Sequence, residues 1–185
     1  MKTYYDVLDA VRRFPGIHLG GVDSESIAGT RMPRLLAFLT GLHFAKLDPG
    51  DPPFHDFGPW FSVRFEGISD SNNLPFHWLE ERERGQDSAF EIFFSLLDEY
   101  RSCHAVPLEQ SRGPFHPSFT VGEGRQPDHP DAIVVGRFAP SDVFFWEERF
   151  GAETRRHSRF FRSLSAARRE ASAHWGVRAA NWSAP

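Results

Sequence analysis

Between Ser88 and Arg101, the apolar residues Phe90, Phe93, Phe94, Leu97 and Tyr100 recur at three- and four-residue steps, and Ile92 and Leu96 widen the stripe. This spacing predicts a helix buried on most of its sides. Ser88 and Glu91 have the spacing of a capping box, which would place the helix start there. Asp98 and Glu99 fall in the last turn, where the helix dipole disfavours negative charge, so nearby cations or a partner must offset them. Arg101 is the nearest such cation in sequence.

Tyr4, Val7, Leu8 and Val11 predict a first helix that stops at Phe14-Pro15-Gly16. Ile17, His18 and Leu19 read as a brief extended segment, and 21–30 as exposed loop. Pro33, followed by Leu35, Phe38, Leu39 and Leu42, predicts a second helix ending before the turn-rich Asp48 to Pro53. Phe54, Phe57, Phe61 and Phe65 predict a third, started or kinked at Gly58-Pro59. A polar loop is expected at 67–73, then a short helix through Phe76, Trp78, Leu79 and the charged run Glu80-Glu81-Arg82-Glu83-Arg84, stopped by Gly85.

Beyond His104 the pattern changes. Residues 104–130 are rich in Pro, Gly, His and Ser and read as a long connection. Three β-rich runs follow, Ile133 to Phe138, Val143 to Phe150 and Thr154 to Phe161, which together predict a small antiparallel sheet. Ser163 can cap a last helix whose inner side carries Leu164, Ala167, Ala171 and Trp175, with Gly176 as its stop. Trp182 is expected to tuck the tail back. The fold class is therefore α+β: a mainly helical N-terminal half, then a small C-terminal antiparallel sheet with a terminal helix. The expected organisation is a helical subdomain at 1–103, a connecting loop at 104–130 and a sheet-plus-helix subdomain at 131–185, packed as one unit.

Composition adds that 19 Phe and 5 Trp against 2 Met mean that aromatic packing supplies much of the core in a chain of 185 residues. The single Cys103 leaves no internal disulfide to form and points to a reducing cytoplasm. No apolar run approaches a membrane span, and Met1 to Ala10 is too polar for a signal peptide. With 21 basic and 25 acidic residues the formal charge is −4, against general nucleic-acid affinity and in keeping with a cationic protein partner. Arg155, Arg156, Arg159, Arg162, Arg168 and Arg169 are interleaved with Glu147, Glu148, Glu153 and Glu170 and read as solvated charge pairs.

Two constellations could carry function. His55-Asp56, joined by His43 and Asp98, has the residue types with which HD-type phosphohydrolases bind metal and activate water, although flanking Phe54 and Phe57 make an ordinary helix start equally natural. His104, His116 and His129 fit no metal-ligand spacing and read as surface histidines. Asp98 and Glu99, with the Glu80, Glu81 and Glu83 run, are the partner-binding candidates; pairing with arginines of the same chain is the competing reading. No catalytic residue, metal ligand or cofactor is assigned.

Arg12 to Gly20 resembles a stretch of type II topoisomerase ATPase subunits, but the motifs that hold magnesium and ATP there are not found downstream. The chain also resembles a group of uncharacterised bacterial proteins that share R-x-P-G-x-x-L-G, seen here from Arg13 to Gly20, a Leu-rich helix ending like Leu39-Thr40-Gly41, F-H-D at Phe54-His55-Asp56, and F-F-x-L-L-D-E-[FY] from Phe93 to Tyr100. Some of these look like immunity proteins encoded beside secreted toxins. The resemblance implies a cytoplasmic binding protein that occludes a toxin domain, and the acidic balance suits a toxin domain with a basic surface. Phe14, Ile17 and His18, where this chain departs from the pattern, are expected at the surface if partner choice varies.

Overall fold

The computed structural model describes residues 2–20, 31–42, 45, 47–65, 79, 86–117, 128–156 and 159–185. The chain forms two compact units, Met1–Ser102 and Cys103–Pro185. The first is helical among its described residues, and the second holds an antiparallel sheet and a terminal helix.

In the first unit, α1 (Tyr4–Arg13) starts on a capping box. The Thr3 hydroxyl accepts from the Asp6 N–H at 3.1 Å, and the Asp6 carboxylate accepts from the Thr3 N–H at 2.8 Å. The Thr3 N–H, together with the Thr3 hydroxyl that donates to the same carboxylate at 2.9 Å, holds the Asp6 carboxyl below its ordinary range. The helix ends where the Phe14 N–H reaches the Ala10 carbonyl, and α2 (Pro15–Leu19) begins at once. The extended segment expected at Ile17 to Leu19 is therefore helical. Pro15 ends one helix and opens the next, because its fixed φ and missing N–H suit a first helical position.

α3 (Arg31–Leu42) buries Met32 and Leu35. A 3-10 turn (Phe54–Asp56) then leads into α4 (Phe57–Arg64). Pro59 falls among the first residues of α4, where the backbone N–H groups have no intrahelical acceptor, so the proline costs no bond. α5 runs from Gln86 to Arg101 and places Ser88 inside the helix, so the expected start at a Ser88–Glu91 box is corrected. Its core face is as the periodicity predicts: Phe90, Phe93, Phe94, Leu97 and Tyr100 are each at most 1% exposed. Phe57 packs edge-on against Phe93 at 5.6 Å and tilted against Tyr100 at 5.5 Å. α3 and α4 both pack on α5, and α2 packs on α3. The loop at 67–73 and the helix around the Glu80 run lie outside the described residues, except Leu79, which is buried.

The second unit is a sheet of β1 (His104–Arg112), β2 (Ala132–Ala139), β3 (Val143–Phe150) and β4 (Glu153–Arg156), in that order and antiparallel throughout. β1 corrects the reading of 104–130 as connection from its start. Its sequence hid the strand because it is half-exposed and interrupted by Pro107, where the register slips between Pro107 and Glu109; at a sheet edge a proline removes no ladder bond that matters. β4 is shorter than the expected run to Phe161, and Phe161 instead makes an isolated bridge to Phe144.

α6 (Leu164–Trp175) packs on β2 and β3, with Ser163 as its N-cap and Gly176 in the left-handed conformation after it. The core on that face gathers Ile133, Val135, Trp146, Ala167, Ala171 and Trp175, and Trp182 packs against it. Ser183 then pairs with Gln110 on the outer side of β1, so the tail covers part of that edge. Among the described residues no helix is long and apolar enough to cross a membrane.

Candidate functional site

The segment that carries His55 and Asp56 is held from both sides by buried tyrosines. The Tyr5 hydroxyl donates to the Pro52 carbonyl at 2.5 Å, and the Tyr100 hydroxyl to the Pro53 carbonyl at 2.7 Å. Gly50 makes the turn before it. Its φ of 79° favours glycine, and a Cβ there would stand 2.5 Å from the Tyr5 ring. The chain can follow this path only because that position has no side chain.

Asp56 is 3% exposed, and its Oδ1 accepts no hydrogen bond. His55 Nε2 lies 3.4 Å from that oxygen, while the His55 side chain is 63% exposed. Beside them, Tyr4, Leu39, Leu47, Pro49, Phe54 and His55 line a cavity of about 360 Å³. Tyr4 and Phe54 stack at 5.3 Å with planes 17° apart, and Phe57 continues the stack from Phe54.

The four residues of the metal reading are not gathered by the described structure. His43 lies outside the described residues, and Asp98 is engaged elsewhere. Among the described residues no three His, Cys, Asp or Glu side chains could together hold a metal ion. His104, His116 and His129 are all exposed, and Cys103 is buried.

Asp98 and Glu99 meet arginines of their own unit. Arg12 donates to Asp98 at 2.6 Å, and Arg64 to Glu99 at 3.5 Å. Arg101 donates to Asp9 at 2.8 Å and stands 3.9 Å from Asp98. The arginines also sit over rings: Arg12 over Phe94, Arg101 over Tyr5 and Arg64 over Phe65. The hydrogen bond to Asp98 pushes the Arg12 guanidinium further up. Among the described residues, the charge at the end of α5 meets Arg12 at Asp98 and Arg64 at Glu99, and Arg101, the nearest cation in sequence, donates to Asp9 instead. Both carboxylate side chains stay reachable, at 48% and 37% exposed. Glu80, Glu81 and Glu83 lie outside the described residues.

In the second unit two of the expected pairs are present, Arg155 with Glu153 at 2.9 Å and Arg159 with Glu170. Arg168 meets Glu109 on β1, a partner the sequence did not suggest.

One exposed surface feature lies outside the predicted contact residues. Phe14 and Ile17, three residues apart at the α1–α2 junction, are 50% and 78% exposed, and His18 is exposed beside them. The signal was available in their position, since both fall where the chain departs from the shared motif. Comparison with family models, with curated proteins and with solved structures returned no match.

Proposed function

We propose that this chain is a non-enzymatic, cytoplasmic protein-binding module, an immunity-type inhibitor of a bacterial toxin. The observation that carries the reading is the exposed pair Phe14 and Ile17. Large apolar side chains held in water on an ordered helix junction cost solvation and contribute nothing to the core, whereas a partner that covers them gains their burial. Their position within the motif that resembles immunity proteins supports the same reading.

Asp98 and Glu99, together with Glu80, Glu81 and Glu83, are the acidic contact candidates, and a partner with a basic surface suits them. Pairing with arginines is compatible with that role, because a carboxylate can accept from more than one donor. Apolar anchors and charged contacts together are the usual makeup of a specific interface.

The test is co-purification with the product of the adjacent gene, followed by binding assays at two salt concentrations. Phe14→Ser and Ile17→Ser should raise Kd about tenfold or more, through faster dissociation. Asp98→Ala and Glu99→Ala should mainly slow association and lessen its salt dependence. Absence of any complex defeats the function, and unchanged affinity in all four variants defeats the placement of the contact.

A further inference from the structure

The second unit carries a sheet edge that the chain itself closes only in part. β1 is an outermost strand and pairs with β2 on one side; on its other side, among the described residues, it meets the chain at a single antiparallel bridge between Gln110 and Ser183. The Gln110 N–H donates to the Ser183 carbonyl at 2.8 Å, and the Ser183 N–H donates to the Gln110 carbonyl at 2.9 Å. Gln110 Nε2 also donates to the Ala184 carbonyl at 3.4 Å. Trp182 packs against the core under α6, whereas Ser183 and Ala184 are exposed. The tail thus holds β1 as an added strand does, with backbone bonds for attachment and one aromatic side chain as anchor.

The tail does not use the whole edge. In an antiparallel ladder alternate residues turn both backbone groups to the same side, so Arg112 presents its N–H and C=O to the side that Gln110 uses. A strand continued back from Ser183 would set the position of Asn181 opposite Arg112, but the tail forms a 3-10 turn at Ala179–Asn181, and the Asn181 N–H donates to the Arg178 carbonyl instead. At the other end, Pro107 has no N–H and the register slips between Pro107 and Glu109, which blunts the edge there. A segment that stays extended pairs at both Gln110 and Arg112 and gains the bonds the tail forgoes. We propose that this edge of β1 binds an extended peptide segment of another protein, with an aromatic residue directly before a small one, and that the tail occupies the site in cis and holds it closed. The site belongs to the second unit, whereas Phe14 and Ile17 belong to the first.

Fluorescence anisotropy of a labelled peptide with the sequence of residues 179–185 tests this against the full chain. Trp182→Ala combined with Ser183→Pro releases the tail, because it removes the anchor and the Ser183 N–H; urea unfolding checks that the variant is folded. The peptide should bind this variant saturably and about tenfold or more tightly than it binds the unaltered chain, where the tail competes at the high effective concentration of a tethered ligand. Ser183→Pro alone, at an exposed position, should give an intermediate affinity. Methylating the peptide's serine nitrogen, or placing alanine at its tryptophan, should weaken binding about tenfold. Hydrogen exchange should show the Gln110 N–H protected in the unaltered chain, and the Gln110 and Arg112 N–H groups both protected in the peptide complex. The proposal is overturned by absence of saturable binding to both variants, by equal affinity for the unaltered chain, by equal affinity of the methylated peptide, or by a concentration-dependent dimer of the unaltered chain that protects Arg112, which would assign the edge to a second copy.

Discussion

The Tyr100 hydroxyl, at the end of α5, donates to the carbonyl of Pro53, the residue immediately before the Phe54–Asp56 turn. Tyr100 is itself fully buried, so a core side chain sets the position of the segment that carries His55. Tyr100→Phe keeps the ring and removes the bond. It should cost about 0.5 to 1.5 kcal/mol in urea unfolding with the slope unchanged. A neutral result would mean that the loop is held by Tyr5 alone.

Phe93 is 0% exposed and packs edge-on against Phe57 and Phe94. Phe93→Ala loses its transfer energy and leaves a cavity in a core that already relies on rings, so the expected loss is about 3 to 5 kcal/mol. Measured below about 1 kcal/mol, the loss would remove α5 from the centre of the unit.

Arg12 and Asp98 are 2.6 Å apart, yet their side chains are 39% and 48% exposed. Water competes for both, so a double-mutant cycle should return a coupling of only about 0.2 to 1 kcal/mol, falling further with added salt. A coupling above about 2 kcal/mol would place the pair in a drier setting than its exposure implies.

Burial pushes the Tyr5 phenol well above its ordinary 10.0; Arg101 opposes the shift, and Asp51 and Asp56 add to it. The folded chain therefore keeps this proton at a pH where the unfolded chain releases it. The contribution is complete below the unfolded value and is lost as pH rises past about 10 toward the folded one. Urea midpoints across that range should fall more steeply for the unaltered chain than for Tyr5→Phe. Equal slopes would show that Tyr5 titrates normally.

Much of the fold was legible because it is written in local periodicity. The apolar steps of Phe90 to Tyr100, the Ser163 cap and Gly176 stop of α6, and the β-branched run at Ile133 to Val135 each specify an element through its own residues. The failures were local competitions decided by distant partners. Pro15 is equally suited to ending a helix and to starting one. Pro107 looks like an interruption until β2 pairs with the strand around it and leaves it at an edge. Ser88 has capping chemistry, but the helix had already begun at Gln86.

The candidate site was legible only as residue types. The sequence alone determined that His55 and Asp56 are adjacent, that Asp98 and Glu99 end a helix, and that the chain packs largely through aromatic rings. Tertiary structure decided that Asp56 is buried while its neighbour is exposed, and that Asp98 meets Arg12, 86 residues away. It also decided that Phe14 and Ile17 stay in water although their composition would suit a core. The physical reason is that burial and charge pairing depend on which surfaces helix packing brings together, and no pattern of neighbouring residues encodes a partner so far along the chain.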